Sequence, residues 1–81
     1  MKQYQIHYYI DREPYRYDFI FNSLWAATFK ARAIAECHGV ATDVMDRETG
    51  EILAIFEPNG KIWTQTGIAS EVRILAHTPL E

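Results

Sequence analysis

One segment of the chain favours an α-helix, NSLWAATFKARAIAECHG at residues 22–39, and it separates two halves that favour β-strands. Asn22 or Ser23 can cap its amino end, because either side chain accepts hydrogen bonds from free backbone N–H groups. Gly39 suits the left-handed residue that commonly ends a helix. The alanines between these caps raise the helix propensity, so the sequence predicts a helix that begins at residue 24 and ends at residue 38.

The apolar residues of this helix fall on two sides of a helical wheel. One side contains Leu24, Ala27, Ala31, Ile34 and Ala35, and the other contains Trp25, Ala26, Phe29, Ala33 and Cys37. A helix that is apolar on two sides is usually contacted by something beyond its own sheet. We therefore expect Trp25 and Phe29 to take part in binding a partner.

Toward the amino terminus, two segments alternate between apolar and polar residues, YQIHYYI at residues 4–10 and YRYDFIF at residues 15–21. Alternation with a period of two predicts half-buried strands. The polar stretch at residues 11–14, which contains a proline, predicts the turn between them. We therefore predict a β-hairpin with a four-residue loop. A loop of this length sets a register in which His7 lies opposite Asp18.

Toward the carboxyl terminus, the pattern predicts three further strands at residues 40–46, 51–57 and 61–65. The turns between them end in Gly50 and Gly60, as expected for type I turns followed by a glycine bulge. Regular alternation places Val40, Val44, Ile52, Ala54, Phe56 and Ile62 on one face and Met45, Leu53, Ile55 and Trp63 on the other. One helix cannot cover both faces, so we expect the second face to bind a partner.

These elements predict a single α+β domain over residues 1–79 with element order ββαβββ. In it, one helix packs on an antiparallel sheet. A short element follows at residues 68–77, and two interpretations of it stay open. Alternating β-branched residues favour a strand, whereas an early serine favours a capped helix. The final residues, Leu80 and Glu81, match either the remnant of an expression tag or a native ending.

Composition narrows the classes of function. The 81 residues include eight basic and eleven acidic side chains, a net charge of −3, which disfavours general binding to phosphate backbones. The single cysteine, Cys37, allows no internal disulfide and favours a reducing compartment. No apolar run approaches the length of a membrane span. We expect a cytoplasmic protein that contacts no membrane and for which nucleic acid is a disfavoured partner.

The residue types that carry catalysis are present but are not grouped. His7, His38 and His77 have no companion at the spacing of metal ligands, which argues against a zinc site. Cys37 and His38 are adjacent, but neighbouring helical side chains point about 100° apart and cannot form an activated pair. We expect Cys37 to be buried and inert. The sequence therefore predicts no catalytic residue, metal ligand or cofactor, and hence no enzyme.

The order of elements resembles that of small uncharacterised bacterial and phage-type proteins with a ββαββ core. It consists of a hairpin, an alanine-rich helix from Asn22 to Gly39, and a second hairpin through DRETGEI at residues 46–52. The resemblance covers residues 4–57 and rests on turn and packing signals. It implies a fold and no activity, so no functional residue is carried over from it.

Two functions follow as expectations. The first is a non-enzymatic interaction module that binds another protein, or itself as a homodimer, through apolar surface. Its expected partner-binding residues are Trp25, Phe29, Met45, Leu53, Ile55 and Trp63. The alternative is binding of single-stranded nucleic acid through the first hairpin, where Tyr9 can stack on bases while Arg12 and Arg16 hold phosphates.

Overall fold

The computed structural model describes residues 2–64, in which one helix packs on a five-stranded antiparallel sheet. The elements are β1 (Tyr4–Ile10), β2 (Glu13–Phe21), α1 (Leu24–His38), β3 (Ala41–Asp46), β4 (Ile52–Phe56) and β5 (Ile62–Thr64). The strands lie in the order β2-β1-β3-β4-β5, which confirms the predicted α+β class and element order. The element expected at residues 68–77 and the final residues 80–81 lie outside the described residues. Within residues 2–64 the helix α1, with 15 residues, does not qualify as a membrane-spanning helix.

Both predicted ends of the helix are confirmed. Ser23 has an extended backbone conformation, and its side-chain hydroxyl accepts a hydrogen bond from the backbone N–H of Ala26 at 3.2 Å. At the other end, Gly39 adopts the left-handed conformation with φ of 65° and donates its N–H to the carbonyl of Ala35 at 3.0 Å. The two caps satisfy backbone groups that a helix leaves free at its ends, so local sequence sets the length of α1.

The side of α1 that faces the sheet is made of small residues. Ala27, Ala31 and Ala35 recur every four positions and are fully buried, so the helix backbone can lie close to the strands. A direct link follows, since the Thr42 hydroxyl on β3 donates to the carbonyl of Ala31 at 2.8 Å. The core between helix and sheet consists of Ile6, Leu24, Ala27, Ala31, Ala35, Val44, Leu53, Ala54 and Phe56.

The turn of the first hairpin is shorter than the sequence predicts. Asp11 and Arg12 both have positive φ, 52° and 69°, as in the two-residue type I′ turns that match the twist of β-hairpins. The first pair after the turn is therefore Ile10 with Glu13. The predicted four-residue loop is wrong because Glu13 and Pro14 belong to β2, where an edge strand tolerates a proline.

A bulge in β2 then restores the predicted register at the far end of the hairpin. His7 lies opposite Arg16 and Gln5 lies opposite Ile20, so β2 contains two more residues than β1 between these pairs. The Gln5 side chain donates to the carbonyl of Tyr17 at 2.6 Å and so satisfies a backbone group inside the bulge. The predicted pairing of His7 with Asp18 is therefore wrong.

A second bulge, in β4, redistributes its side chains between the two faces. Val44 lies opposite Ala54, but the next residue of β3, Met45, lies opposite Ile52, so Leu53 is the extra residue. One inserted residue reverses the alternation of a strand. Leu53 consequently joins the core and Ile52 is exposed, the reverse of the predicted assignment for these two positions.

Candidate functional site

The side of the sheet opposite α1, here called the open face, carries one row of side chains that crosses all five strands. Thr42 and Val44 point to the helix side, where both are fully buried, so the intervening Asp43 points to the open face. Directly opposed residues of neighbouring strands have side chains on the same face. Successive register pairs therefore place on the open face Arg16, His7, Asp43, Ile55 and Trp63.

The β3, β4 and β5 part of the open face is apolar and accessible. Met45 and Ile52 form a neighbouring row there, and Met45 is half-buried. The exposed fractions of Ile52, Ile55 and Trp63 are 36%, 38% and 53%. These four residues, Met45, Ile52, Ile55 and Trp63, are called the apolar patch below. Three of the four were predicted from the sequence. Ile52 was missed because only the β4 bulge turns it toward this face.

Trp63 is held in place at the edge of the apolar patch. Its indole N–H donates to the carboxylate of Glu57, and the Lys61 ammonium lies 5.5 Å from the ring centroid. Both partners come from the turn that precedes β5, where the backbone N–H of Glu57 donates to the carbonyl of Lys61 at 2.9 Å. An aromatic ring that is fixed before binding loses little conformational entropy when a partner covers it.

Beside the apolar patch, the buried carboxylate of Asp43 is hydrogen-bonded to two polar side chains of β1. Asp43 is only 1% exposed. Its Oδ1 lies 2.9 Å from His7 Nδ1, and its Oδ2 accepts the Tyr9 hydroxyl at 2.5 Å. Burial of the phenol, together with this hydrogen bond and the nearby negative charge, raises the pKa of Tyr9 to about 12. Both carboxylate oxygens are thus occupied by donors.

The bond to Asp43 fixes the orientation of the His7 ring. Because an ionised carboxylate only accepts hydrogen bonds, Nδ1 is the nitrogen that carries a proton. Within the described residues no group hydrogen-bonds to Nε2. On the other side of His7 lies Arg16 of β2, which is exposed and has no ion-pair partner among residues 2–64. The sequence did not reveal this grouping, although Asp43, a charged residue in the interior of a strand, was a signal for it.

The remaining predicted partner-binding residues lie elsewhere. Trp25 and Phe29 are exposed on α1, on the opposite layer of the fold, with stacked rings whose centroids are 5.3 Å apart. Leu53 is buried in the core, and it also contributes to the lining of a pocket shared with Ile52, Ile55 and Trp63. The structure therefore places the predicted set on two separate surfaces. Cys37, expected to be buried, is exposed near the end of α1, because it lies on the side of the helix that faces away from the sheet.

The residues of the nucleic-acid alternative are divided in a similar way. Arg12 lies in the turn between β1 and β2, while Tyr9 and Arg16 lie in adjacent rows of the open face. The Tyr9 hydroxyl is engaged with the buried Asp43 carboxylate. A negative charge at this position weakens attraction for a phosphate, so the geometry gives this alternative little support.

A cleft of about 380 Å³ opens on the other side of the sheet, between α1 and the first hairpin. It is lined by the polar residues Arg16, Asp18 and His38 and by the more apolar residues Tyr8, Ile10, Tyr17, Phe19, Ile34 and Val40. None of the four apolar-patch residues lines this cleft. Among residues 2–64 no group of three or more His, Cys, Asp or Glu side chains is arranged to hold a metal ion.

Comparison with known proteins adds no functional assignment. No protein-family model, curated protein or solved structure matches the chain. The resemblance to small bacterial and phage-type proteins therefore stays a prediction from turn and packing signals.

Proposed function

We propose that the chain is a non-enzymatic interaction module that binds another protein, or a second copy of itself, through the apolar patch on the open face. The observation that carries this proposal is the exposure of Ile52, Ile55 and Trp63 on one face of the sheet. Single exposed apolar residues are common on protein surfaces, but several on one face are typical of interaction sites. Aromatic residues such as Trp63 often supply most of the binding free energy.

The edges of the sheet are less suitable for binding a partner than the open face. A bulge interrupts β2, whose edge also contains Pro14, and both features hinder the addition of another strand. At the opposite edge of the described sheet lies β5, of which Ile62–Thr64 belong to the described residues. A partner that paired with the β2 edge would gain few regular backbone hydrogen bonds. Side-chain contacts on the face therefore suit a partner better than strand addition.

Site-specific photo-crosslinking tests which surface is used. The photoreactive residue p-benzoylphenylalanine replaces Trp63 in one variant and Phe29 in another, and each is irradiated in cells and as purified protein. We expect position 63 to give one saturable adduct, either with a second copy or with one other protein. Ile55→Lys, which places a charge in the apolar patch, should abolish that adduct.

Ile10→Lys is the matched control. Ile10 is also an exposed isoleucine of a strand, 46% accessible, but it lines the cleft on the helix side, so this variant should leave the adduct unchanged. An adduct from position 29 alone would assign binding to the helix surface and contradict the proposal. Saturable binding of a single-stranded oligonucleotide, lost in both Arg12→Gln and Arg16→Gln, would instead favour the nucleic-acid function.

A further inference from the structure

The cleft between α1 and the first hairpin has the size and the lining of a small-molecule site. Three aromatic side chains of the hairpin line it, Tyr8, Tyr17 and Phe19, and Ile34 of α1 and Val40 add aliphatic surface. Its volume of about 380 Å³ lies within the range of ligand clefts, about 300–1,000 Å³. A cleft of this size suits one compact molecule rather than a folded partner.

The aromatic side chains of the cleft are held in position by other rings. The Tyr8 ring stacks on Tyr15 with 5.6 Å between centroids. The Tyr17 ring stacks on Phe21 at 6.4 Å and contacts Phe19 at 5.5 Å, the latter pair inclined by 51°. Rings that are fixed before binding lose little conformational entropy when a ligand covers them.

This wall keeps a large apolar surface in contact with solvent. Phe19 is 64% exposed, the largest exposed fraction among the large apolar side chains of residues 2–64, and Ile10 is 46% exposed. Both residues line the cleft. Removal of apolar surface from water is favourable roughly in proportion to its area, so a ligand that covers Phe19 gains binding free energy.

The polar lining residues favour a ligand without net charge. Arg16 and Asp18 carry opposite charges and both border the cleft. Arg16 does so although its register places it on the open face, because β2 is an edge strand. A charged ligand is therefore attracted by one of the two residues and repelled by the other, and it also loses hydration. Within residues 2–64 no buried side-chain nitrogen or oxygen lacks a hydrogen-bond partner, so no buried polar atom of the wall requires a polar group of the ligand.

We infer that this cleft binds a small, neutral, aromatic molecule with two or three fused rings. The ring system lies against Phe19 and Tyr17, where stacked or edge-to-face contacts between rings add to the burial of apolar surface. None of the cleft residues belongs to the apolar patch. The cleft is therefore a second site, which goes beyond the proposed function and does not depend on it.

NMR titration of the whole chain with indole, a neutral molecule of two fused rings, tests the inference. We expect a Kd on the order of 1 mM, which is within reach of so small a ligand, and saturable shifts at Phe19, Tyr17 and Ile34. Cyclohexanol is neutral but not aromatic, whereas tryptamine and indole-3-acetate carry opposite charges on the indole ring. Each should bind about three- to tenfold more weakly, through loss of ring contacts in the first case and of hydration in the others.

Two exposed phenylalanines provide a matched pair of variants. Phe19→Ala should weaken indole binding by about tenfold, whereas Phe29→Ala should leave it unchanged. Phe29 is 44% exposed, but it stacks on Trp25 and does not line the cleft. Val40→Phe, which places a larger side chain in the cleft, should also reduce the affinity. Dispersed amide spectra check that each variant is folded.

Several results would overturn the inference. Equal losses in Phe19→Ala and Phe29→Ala would reduce the binding to general hydrophobic contact, and equal affinity for cyclohexanol would remove the aromatic preference. Tighter binding of either charged analogue would contradict a neutral ligand. Shifts confined to Ile52, Ile55 and Trp63 would place indole on the apolar patch.

Two further results would leave the cleft without a ligand. The first is the absence of saturable shifts up to the solubility limit of indole. The second is a set of nuclear Overhauser contacts between the Phe19 ring and residues 65–81 in the free protein, because the chain itself would then fill the cleft. Crosslinking at position 63 decides the proposed function separately in every case.

Discussion

His7 and Asp43 are separated by 36 positions in the chain, yet His7 Nδ1 lies 2.9 Å from Asp43 Oδ1 across neighbouring strands. This contact joins the two halves of the fold, because β1 belongs to the first hairpin and β3 to the second. It also brings a buried charge to the centre of the sheet. Such a group costs desolvation free energy unless donors satisfy it, and here His7 and Tyr9 both do so.

Asp43→Asn is expected to change the tautomer of His7. In the native chain the carboxylate requires a proton on Nδ1. The asparagine amide can instead donate to Nδ1 while its oxygen accepts the hydroxyl of Tyr9, which moves the proton of neutral His7 to Nε2. Long-range ¹H–¹⁵N correlation spectra near pH 8.5 distinguish the two tautomers. The same nitrogen pattern in both proteins would show that Asp43 does not set the tautomer.

Tyr9→Phe is expected to lower the free energy of unfolding by roughly 1.5–3 kcal/mol at neutral pH, because it removes a hydrogen bond to a buried carboxylate. The difference should depend on pH in a defined direction. Folding raises the pKa of Tyr9 from 10.0 to about 12, so the protonated hydroxyl stabilises the folded chain. That contribution is complete below about pH 10 and is lost as the pH rises through about 12.

Urea unfolding of the native chain and Tyr9→Phe at several pH values measures this difference. The other titrating groups are common to both proteins and largely cancel. The two stability curves should converge above about pH 10. Curves that stay parallel across that range would contradict the raised pKa of Tyr9 in the folded chain.

Local features of the fold could be predicted from the sequence, whereas features that depend on tertiary structure could not. Ser23 and Gly39 cap α1 as predicted, because capping depends on residues a few positions apart. The register of the first hairpin was mistaken between its two-residue turn and the bulge in β2. In the second hairpin, the bulge in β4 exchanged the faces of Leu53 and Ile52. A bulge changes the alternation of a strand without a distinctive residue pattern.

The contact between His7 and Asp43 could not be predicted from the sequence, for a different reason. Alternation indicates which residues share a face of one strand, but it does not indicate which strands are neighbours. The sequence suggested a partner for His7 within its own hairpin, at Asp18. Only the pairing of β1 with β3 brings Asp43 to His7.

Gly39→Ala is expected to destabilise the chain by about 1–2 kcal/mol, the usual cost of a Cβ in the left-handed conformation. Gly39 has φ of 65°, and an added Cβ would have no atom within 4 Å, so backbone strain is the only direct cost. Gly39→Asn should cost less, because asparagine tolerates this conformation. Thermal or urea unfolding gives both values, and an alanine variant as stable as the native chain would contradict the helix end described here.

Ala31→Leu tests how closely α1 approaches the sheet. Ala31 is fully buried against the strands, and its carbonyl accepts the Thr42 hydroxyl at 2.8 Å, so a larger side chain must push the helix away or break that bond. Such overpacking costs about 1–3 kcal/mol. Ala33→Leu is the matched control, because Ala33 is only half-buried and belongs to the other side of the helix. We expect it to change stability by less than about 0.5 kcal/mol. Equal losses in the two variants, measured by urea unfolding, would mean that the alanine side of α1 does not determine its distance from the sheet.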